Sequence, residues 1–399
     1  MMGRGRLLLL LLMLFASRFS ARAQCGFSAV IPQMAGDNVE LNAYLGLDVV
    51  SLDVLTGDPA GRFHYDSILP VGMYSIVGEG FYLEFLSIGK PVALTMDDIF
   101  DQQSVHFVDD PVNTRWSDYM LLRERFHFGN KEPETFRRLT DSLMGNASDY
   151  AVRLIRVDRE RELWEEDFQD LDLIPTNVLT TKMVRFLELS NDDFIAASDH
   201  ILQMAKTNMT MYEFALQYLL GGFTSMGLSD VTDHLLNFPC LAEGEITEEE
   251  GCRLVSLTEP YQKVKVGVKA PDIQTVTIDG KPYHLYDSKA ERVIVFFWAA
   301  DCEYCHDFLR NISKHLDLGG TFELVTFAIA DDEKEVRREL KRLKLKGWHC
   351  YDEARWEGKA FLDYHVVSTP TAFLLDRDKT ILCKPYDWDE LRSYLGIKN

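Results

Sequence analysis

Apolar and polar residues alternate along the first part of the chain, and the period changes after it. Val39, Leu41, Ala43 and Leu45 are separated by polar or small residues, as are Phe81, Leu83 and Phe85, and then Val92, Leu94 and Met96. A repeat of two is the pattern of half-buried strands. Gly57-Asp58-Pro59-Ala60-Gly61 and Gly78-Glu79-Gly80 mark turns. Residues 24–112 are therefore expected to form a β-sandwich domain. From 113 to 263 apolar residues recur instead at three and four, over 116–128, 134–143, 178–189, 193–204 and 211–223, which predicts an all-α domain. Pro175-Thr176-Asn177 is expected to open one helix and Gly221-Gly222 to interrupt another. Residues 260–269 read as the linker into a third domain.

That third domain, 264–399, alternates strand and helix patterns, so an α/β fold is expected. The eight residues from Val293 to Ala300 are β-branched, aromatic or alanine and carry no charge, as suits a central strand buried on both faces. Cys302-Glu303-Tyr304-Cys305 follows at once, and Cys305, Phe308, Leu309, Ile312 and Leu316 then line one face of a helix beginning near Cys302. Two cysteines three apart at a helix start can close a small disulfide ring. The first sulfur then lies among unpaired amide groups at the positive end of the helix dipole, where thiolate is stabilised. A second apolar strand spans 322–330, and Val336, Leu340 and Leu343 form the buried stripe of a charged helix over 333–346. Ser368-Thr369-Pro370-Thr371 then precedes an apolar strand from Ala372, a place where a cis peptide bond is plausible.

Cys302-Glu303-Tyr304-Cys305, Thr369-Pro370 and the opening Gly267-Val268-Lys269-Ala270-Pro271-Asp272 resemble the TlpA/ResA-like branch of the thioredoxin superfamily. The resemblance implies a thioredoxin-like fold and a thiol-disulfide oxidoreductase. It makes Cys302 the attacking thiol and Cys305 the buried resolving thiol, with Thr369, Pro370 and Trp298 on the substrate-binding side. Asp301, Glu303 and Asp331 would tune the thiols. Asp301 departs from the family's habit of an uncharged residue before the first cysteine, so an anion opposes the dipole there. The segment 24–112 is similar to the β-domain found ahead of thioredoxin-like domains in exported Bacteroidetes proteins, through Gly61-Arg62-Phe63, Gly72-Met73-Tyr74 and the strand from Val92 to Asp97.

Residues 1–23 read as a cleaved export signal: Arg4 and Arg6 precede a ten-residue apolar run, and Ala21-Arg22-Ala23 supplies the cleavage pattern. Arg22 and Gln24 argue against lipid anchoring at Cys25. Removing the segment takes away four arginines and no acid, so the formal charge falls from -21 to -25. Such an anionic chain is poorly suited to nucleic acid. Seven cysteines are permissible in an exported protein, and the odd count leaves at least one unpaired within the chain. Cys240 and Cys252 flank an acidic loop with little apolar content and are a candidate structural disulfide.

Other chemistries fit less well. Cys302 to His306 also spells C-x-x-C-H, the haem-attachment pattern, but haem attachment requires neither the preceding buried strand nor the Thr-Pro loop. His306 is then expected as a partly exposed helix residue. A peroxiredoxin needs threonine three residues before the nucleophile, where Ala299 stands. Zinc has only one C-x-x-C pair, with His349 and Cys350 as further donors, so no metal site is expected. The expected function is an exported thiol-disulfide oxidoreductase with no bound cofactor, acting on disulfides of other exported proteins and fed by an upstream thiol electron donor. A cell-envelope binding protein that keeps the thioredoxin fold as a scaffold is the alternative.

Overall fold

The computed structural model describes residues 26–127, 132–160, 162–238, 240–241 and 246–397, so the expected export signal and Cys25 lie outside the described residues. The chain divides into two compact units, one ending at Phe214 and the other beginning at Ala215.

The first unit opens with eight strands: β1 (Phe27–Val30), β2 (Asn38–Leu45), β3 (Asp48–Thr56), β4 (Arg62–Tyr65), β5 (Gly72–Gly78), β6 (Phe81–Ser87), β7 (Val92–Met96) and β8 (Val105–Phe107). They form two four-stranded sheets, ordered β4-β1-β7-β8 and β3-β2-β5-β6. The alternating apolar residues point inward. Val39, Leu41 and Ala43 of one sheet share a core with Phe27, Leu94 and Met96 of the other, and the Phe27 and Phe85 rings stack at 4.7 Å. This is the expected sandwich. Helices α1 (Pro111–His127), α2 (Pro133–Met144), α3 (Tyr150–Arg159), α4 (Val178–Glu188) and α5 (Phe194–Ala205) follow, and α6 (Met209–Ser225) runs across the division at 214. Gly221 and Gly222 do not interrupt α6. Each glycine costs a helix about 1 kcal/mol relative to alanine, and the burial of Met211, Tyr212, Leu216, Leu219 and Leu220 outweighs that cost.

The second unit contains α7 (Ser229–Leu235) and α8 (Glu248–Gln262). Pro260 lies in the last turn of α8, so the connection to the next domain starts after Gln262 rather than at Pro260. These helices pack on the α/β domain: Asp233 pairs with Lys384 at 3.0 Å and accepts from the Val266 amide at 3.2 Å. Tyr261 meets His365 edge-on at 4.3 Å. Residues 215–262, grouped by their sequence pattern with the helical domain, thus belong to this compact unit.

The α/β domain has a short hairpin, β9 (Gln274–Val276) with β10 (Pro282–His284), and a five-stranded sheet. The sheet runs in the order β13 (Trp348–Tyr351), β12 (Phe322–Ile329), β11 (Arg292–Ala299), β14 (Thr371–Leu375), β15 (Ile381–Cys383). β11 is central, parallel to β12 and antiparallel to β14. Its side chains divide between two cores: Val293, Val295 and Phe297 on one face, Ile294, Phe296 and Trp298 on the other. Both sets are buried, so this strand has no polar face. α9 (Glu303–His315), α10 (Glu333–Leu343) and α12 (Trp388–Tyr394) cover the Trp298 side, through Phe308, Leu309, Val336 and Leu391. α11 (Lys359–Asp363) covers the other side through Phe361.

Candidate active site

β11 ends at Ala299, and the Ala300 amide still donates to Ile329 of β12 at 2.8 Å, which fixes where the chain leaves the sheet. Two residues later Cys302 is in extended conformation and is the N-cap of α9. Its Sγ accepts a hydrogen bond from the Cys305 amide at 3.1 Å. The first sulfur thereby satisfies one of the unpaired amides of a helix start. Cys302 and Cys305 are joined, with S–S 2.21 Å and Cα–Cα 5.3 Å. Cys302 is half-buried and Cys305 fully buried, the asymmetry that suits an attacking and a resolving sulfur.

Thr369-Pro370 is cis. β14 starts one residue later, and its register sets Thr371 opposite Phe297 of β11, five residues before Cys302. Both Thr369 and Pro370 are half-buried. A cavity of about 60 Å³ beside Pro370 is lined by Ser225, Gly227, Tyr261, Ser368 and Tyr386, among others.

Other expected site residues are placed differently. Trp298 is fully buried beneath α9 and is no part of an accessible substrate surface. It is the last residue of β11 on the Ile294–Phe296 face, so it lies in the core. Asp301 is exposed, and Cys302 rather than Asp301 caps the helix. Glu303 is exposed at the first position of α9, with one carboxylate oxygen 3.7 Å from His306 Nδ1 and the other 4.0 Å from Arg310. Its charge is therefore partly offset locally. Asp331 projects into solvent after β12 and pairs with Arg355 at 3.4 Å. Cys252 is an exposed free thiol, so the expected Cys240–Cys252 bridge is not formed here. The residue lies on the side of α8 opposite Leu254, Thr258 and Tyr261, which face the core.

Two residues beside the dithiol gain weight from the structure. Tyr304, between the cysteines, is 82% exposed; at the second position of a helix whose next residue is buried, its outward direction was available from helical spacing. His306 was expected to be partly exposed and is instead 3% exposed. Its Nδ1 is 2.8 Å from an Arg342 guanidinium nitrogen, and its ring meets Trp298 edge-on at 5.9 Å. Nothing near His306 in the sequence signals this, because Arg342 belongs to α10. The imidazole faces α10, and the two sulfurs bond each other. Cys350 lies in the opposite core from Cys305, so these two do not converge on a zinc site.

Central β11, the dithiol at the start of α9 and cis-Pro370 before β14 define a thioredoxin-like domain. Residues 266–383 match the AhpC/TSA family. Among its relatives, thiol-disulfide oxidoreductase ResA of Bacillus thuringiensis subsp. konkukian (strain 97-27) is 25% identical over 125 residues, 30% of this chain and 69% of that one. Thioredoxin-like protein YneN of Bacillus subtilis (strain 168) is 28% identical over 134 residues, 32% of this chain and 76% of that one. Of solved structures, a thioredoxin-like protein from Bacteroides caccae ATCC 43185 is 16% identical and covers 64% of this chain and 95% of its own, with a TM-score of 0.41. A thiol-disulfide oxidoreductase from Bacteroides fragilis NCTC 9343 is 17% identical, covering 32% and 98%, with a TM-score of 0.30.

Proposed function

We propose that this protein is an exported thiol-disulfide oxidoreductase that reduces or isomerises disulfides in other exported proteins. The observation that carries the reading is the pairing of a half-buried Cys302 at the N-cap of α9 with a fully buried Cys305 one turn on. In the reduced protein the Cys302 thiolate attacks one sulfur of a substrate disulfide, and the other substrate sulfur leaves as thiolate and takes a proton. Cys305 then attacks Cys302 in the mixed disulfide, releases the second substrate thiol and leaves the Cys302–Cys305 bond. A thiol donor returns the two electrons. Thr369 and Pro370 supply backbone beside the attacking sulfur.

A peroxidase of the peroxiredoxin type is disfavoured, because Ala299 stands where its nucleophile requires threonine three residues ahead. Export rests on the pattern of residues 1–23; among the described residues no helix is long and apolar enough to cross a membrane. The β-sandwich and helical segments are read as docking or spacing modules.

Reduction of insulin by dithiothreitol tests the activity. Catalytic amounts of the protein should bring forward the onset of insulin B-chain precipitation, and Cys302→Ser should return it to the rate of dithiothreitol alone. Wild type without effect on the onset would favour the scaffold reading.

A further inference from the structure

His306 is a buried titratable group one residue beyond Cys305 that the exchange chemistry leaves unused. Arg342 can only donate, so at 2.8 Å the imidazole Nδ1 accepts, and the proton of the neutral ring is on Nε2. That Nε2 is buried and has no hydrogen-bond partner. Two carboxylates stand just outside hydrogen-bond range, one at each ring nitrogen: Glu303 at 3.7 Å from Nδ1 and Glu339 at 4.0 Å from Nε2. Glu339 is held by Arg342 at 2.6 Å and Arg338 at 3.1 Å, and Glu303 has Arg310 at 4.0 Å. Among the described residues, these charged groups face the ring from α9 and α10, and β11 contributes the uncharged Trp298. Arg342 and Glu303 thus compete for one nitrogen, and the winner depends on whether that nitrogen carries a proton.

We propose that His306 is a positioning residue that takes up a proton when the disulfide is reduced. The inference rests on the thiol-disulfide reading above. In the oxidised protein the sulfur pair is neutral and Arg342 occupies Nδ1. Reduction by glutathione breaks the Cys302–Cys305 bond, adds two electrons and places ionisable sulfur at the start of α9. Negative charge on Cys302 then lies one helical turn from His306, whose amide donates to the Cys302 carbonyl at 3.1 Å. That charge favours imidazolium. An imidazolium donates from Nδ1 to Glu303 and from Nε2 to Glu339, and it displaces Arg342. Glu303, the neighbour of Cys302, is drawn onto the ring, so an anion beside the attacking sulfur is neutralised as the thiolate forms. Where Cys302 is ionised with or without the imidazole, reduction therefore takes up one proton more than it would in its absence.

Equilibration against glutathione between about pH 5 and 8, the range in which imidazole can change charge, reads this directly. Three full-length proteins are compared: wild type, His306→Gln, whose amide accepts from Arg342 but cannot ionise, and Arg342→Met. Over part of the range the wild-type equilibrium constant should change by up to tenfold more per pH unit than that of H306Q, which is about 30 mV for a two-electron couple. R342M should show the extra dependence at higher pH, because the cation that keeps the ring neutral is gone. Parallel wild-type and H306Q profiles overturn the proposal; should H306Q not fold, a profile of R342M parallel to that of wild type does so. Failure of wild type to accelerate insulin reduction would instead overturn the functional reading, and that result depends on neither variant.

Discussion

Cys302 Sγ accepts a hydrogen bond from the Cys305 amide at 3.1 Å, so the sulfur read as the nucleophile is itself the N-cap of the helix that carries its partner. The side chain that usually caps a helix start is a serine, threonine, asparagine or aspartate oxygen. Here Asp301 stands one residue too early. Its charge and the cap are therefore separable by mutation.

Asp301→Asn should make the protein more oxidising with little effect on stability. An exposed anion next to Cys302 disfavours thiolate, and removing it is worth up to about 1.4 kcal/mol, or about 30 mV. The wild-type potential should lie nearer the thioredoxin value of about -270 mV than the DsbA value of about -120 mV. A glutathione equilibration gives both numbers, and a fall in the urea midpoint without a change of potential would point to a structural role for Asp301.

Trp298 should behave as a core residue. Trp298→Ala should cost about 3–5 kcal/mol in urea unfolding. Trp298→Phe should cost less than about 1.5 kcal/mol, because it also removes an indole N–H that is buried with no partner. A substrate role would show instead as a raised KM in Trp298→Phe at unchanged stability.

The remaining thiols should differ in reactivity. Burial pushes both Cys350 and Cys383 up to about 12, so neither is a useful nucleophile at neutral pH. Iodoacetamide should label exposed Cys252 in the folded, unreduced protein and reach Cys350 and Cys383 only after denaturation. Recovery of Cys240 and Cys252 in one disulfide-linked peptide would restore the bridge that the structure lacks.

His284 and Asp272 should titrate as a pair. The hydrogen bond to Asp272 at 2.8 Å, outweighing burial, raises His284 above its ordinary 6.5. Asp272 is partly buried, which alone would raise it, but hydrogen bonds from Gln274 and His284 hold it below its ordinary 3.8. The histidine's contribution to stability is complete below its unfolded value and is lost as pH rises through the higher folded value. The aspartate's contribution is present above its unfolded value and is lost as pH falls through the lower folded one. The pair therefore supports the fold best between about pH 4 and 6.5. An NMR titration should show His284 moving down in Asp272→Asn; an unchanged midpoint would contradict the pairing.

Much of the catalytic domain was legible because its signals are local. A charge-free strand from Val293 to Ala300, helical spacing from Cys305 and proline before an apolar strand each depend on neighbours in sequence. What escaped depends on docking. His306 is buried by Arg342 and Glu339, more than thirty residues away on α10, and Trp298 is hidden by α9. Gly221 and Gly222 look like a break until the apolar face of α6 is counted against them. The helix α3 also went unread, although Arg153, Arg156 and Arg159 at three-residue spacing marked its polar face.

The most direct test of dithiol exchange through Cys302 is a trap. Cys302→Ser and Cys305→Ser are each reduced, freed of reductant and mixed with a disulfide-bonded protein such as insulin, then run on a non-reducing gel. Cys305→Ser should accumulate a mixed disulfide that dithiothreitol dissolves, because attack survives and resolution is lost. Cys302→Ser should give none. A mixed disulfide formed by the Cys302 variant alone, or by neither protein, would contradict the account.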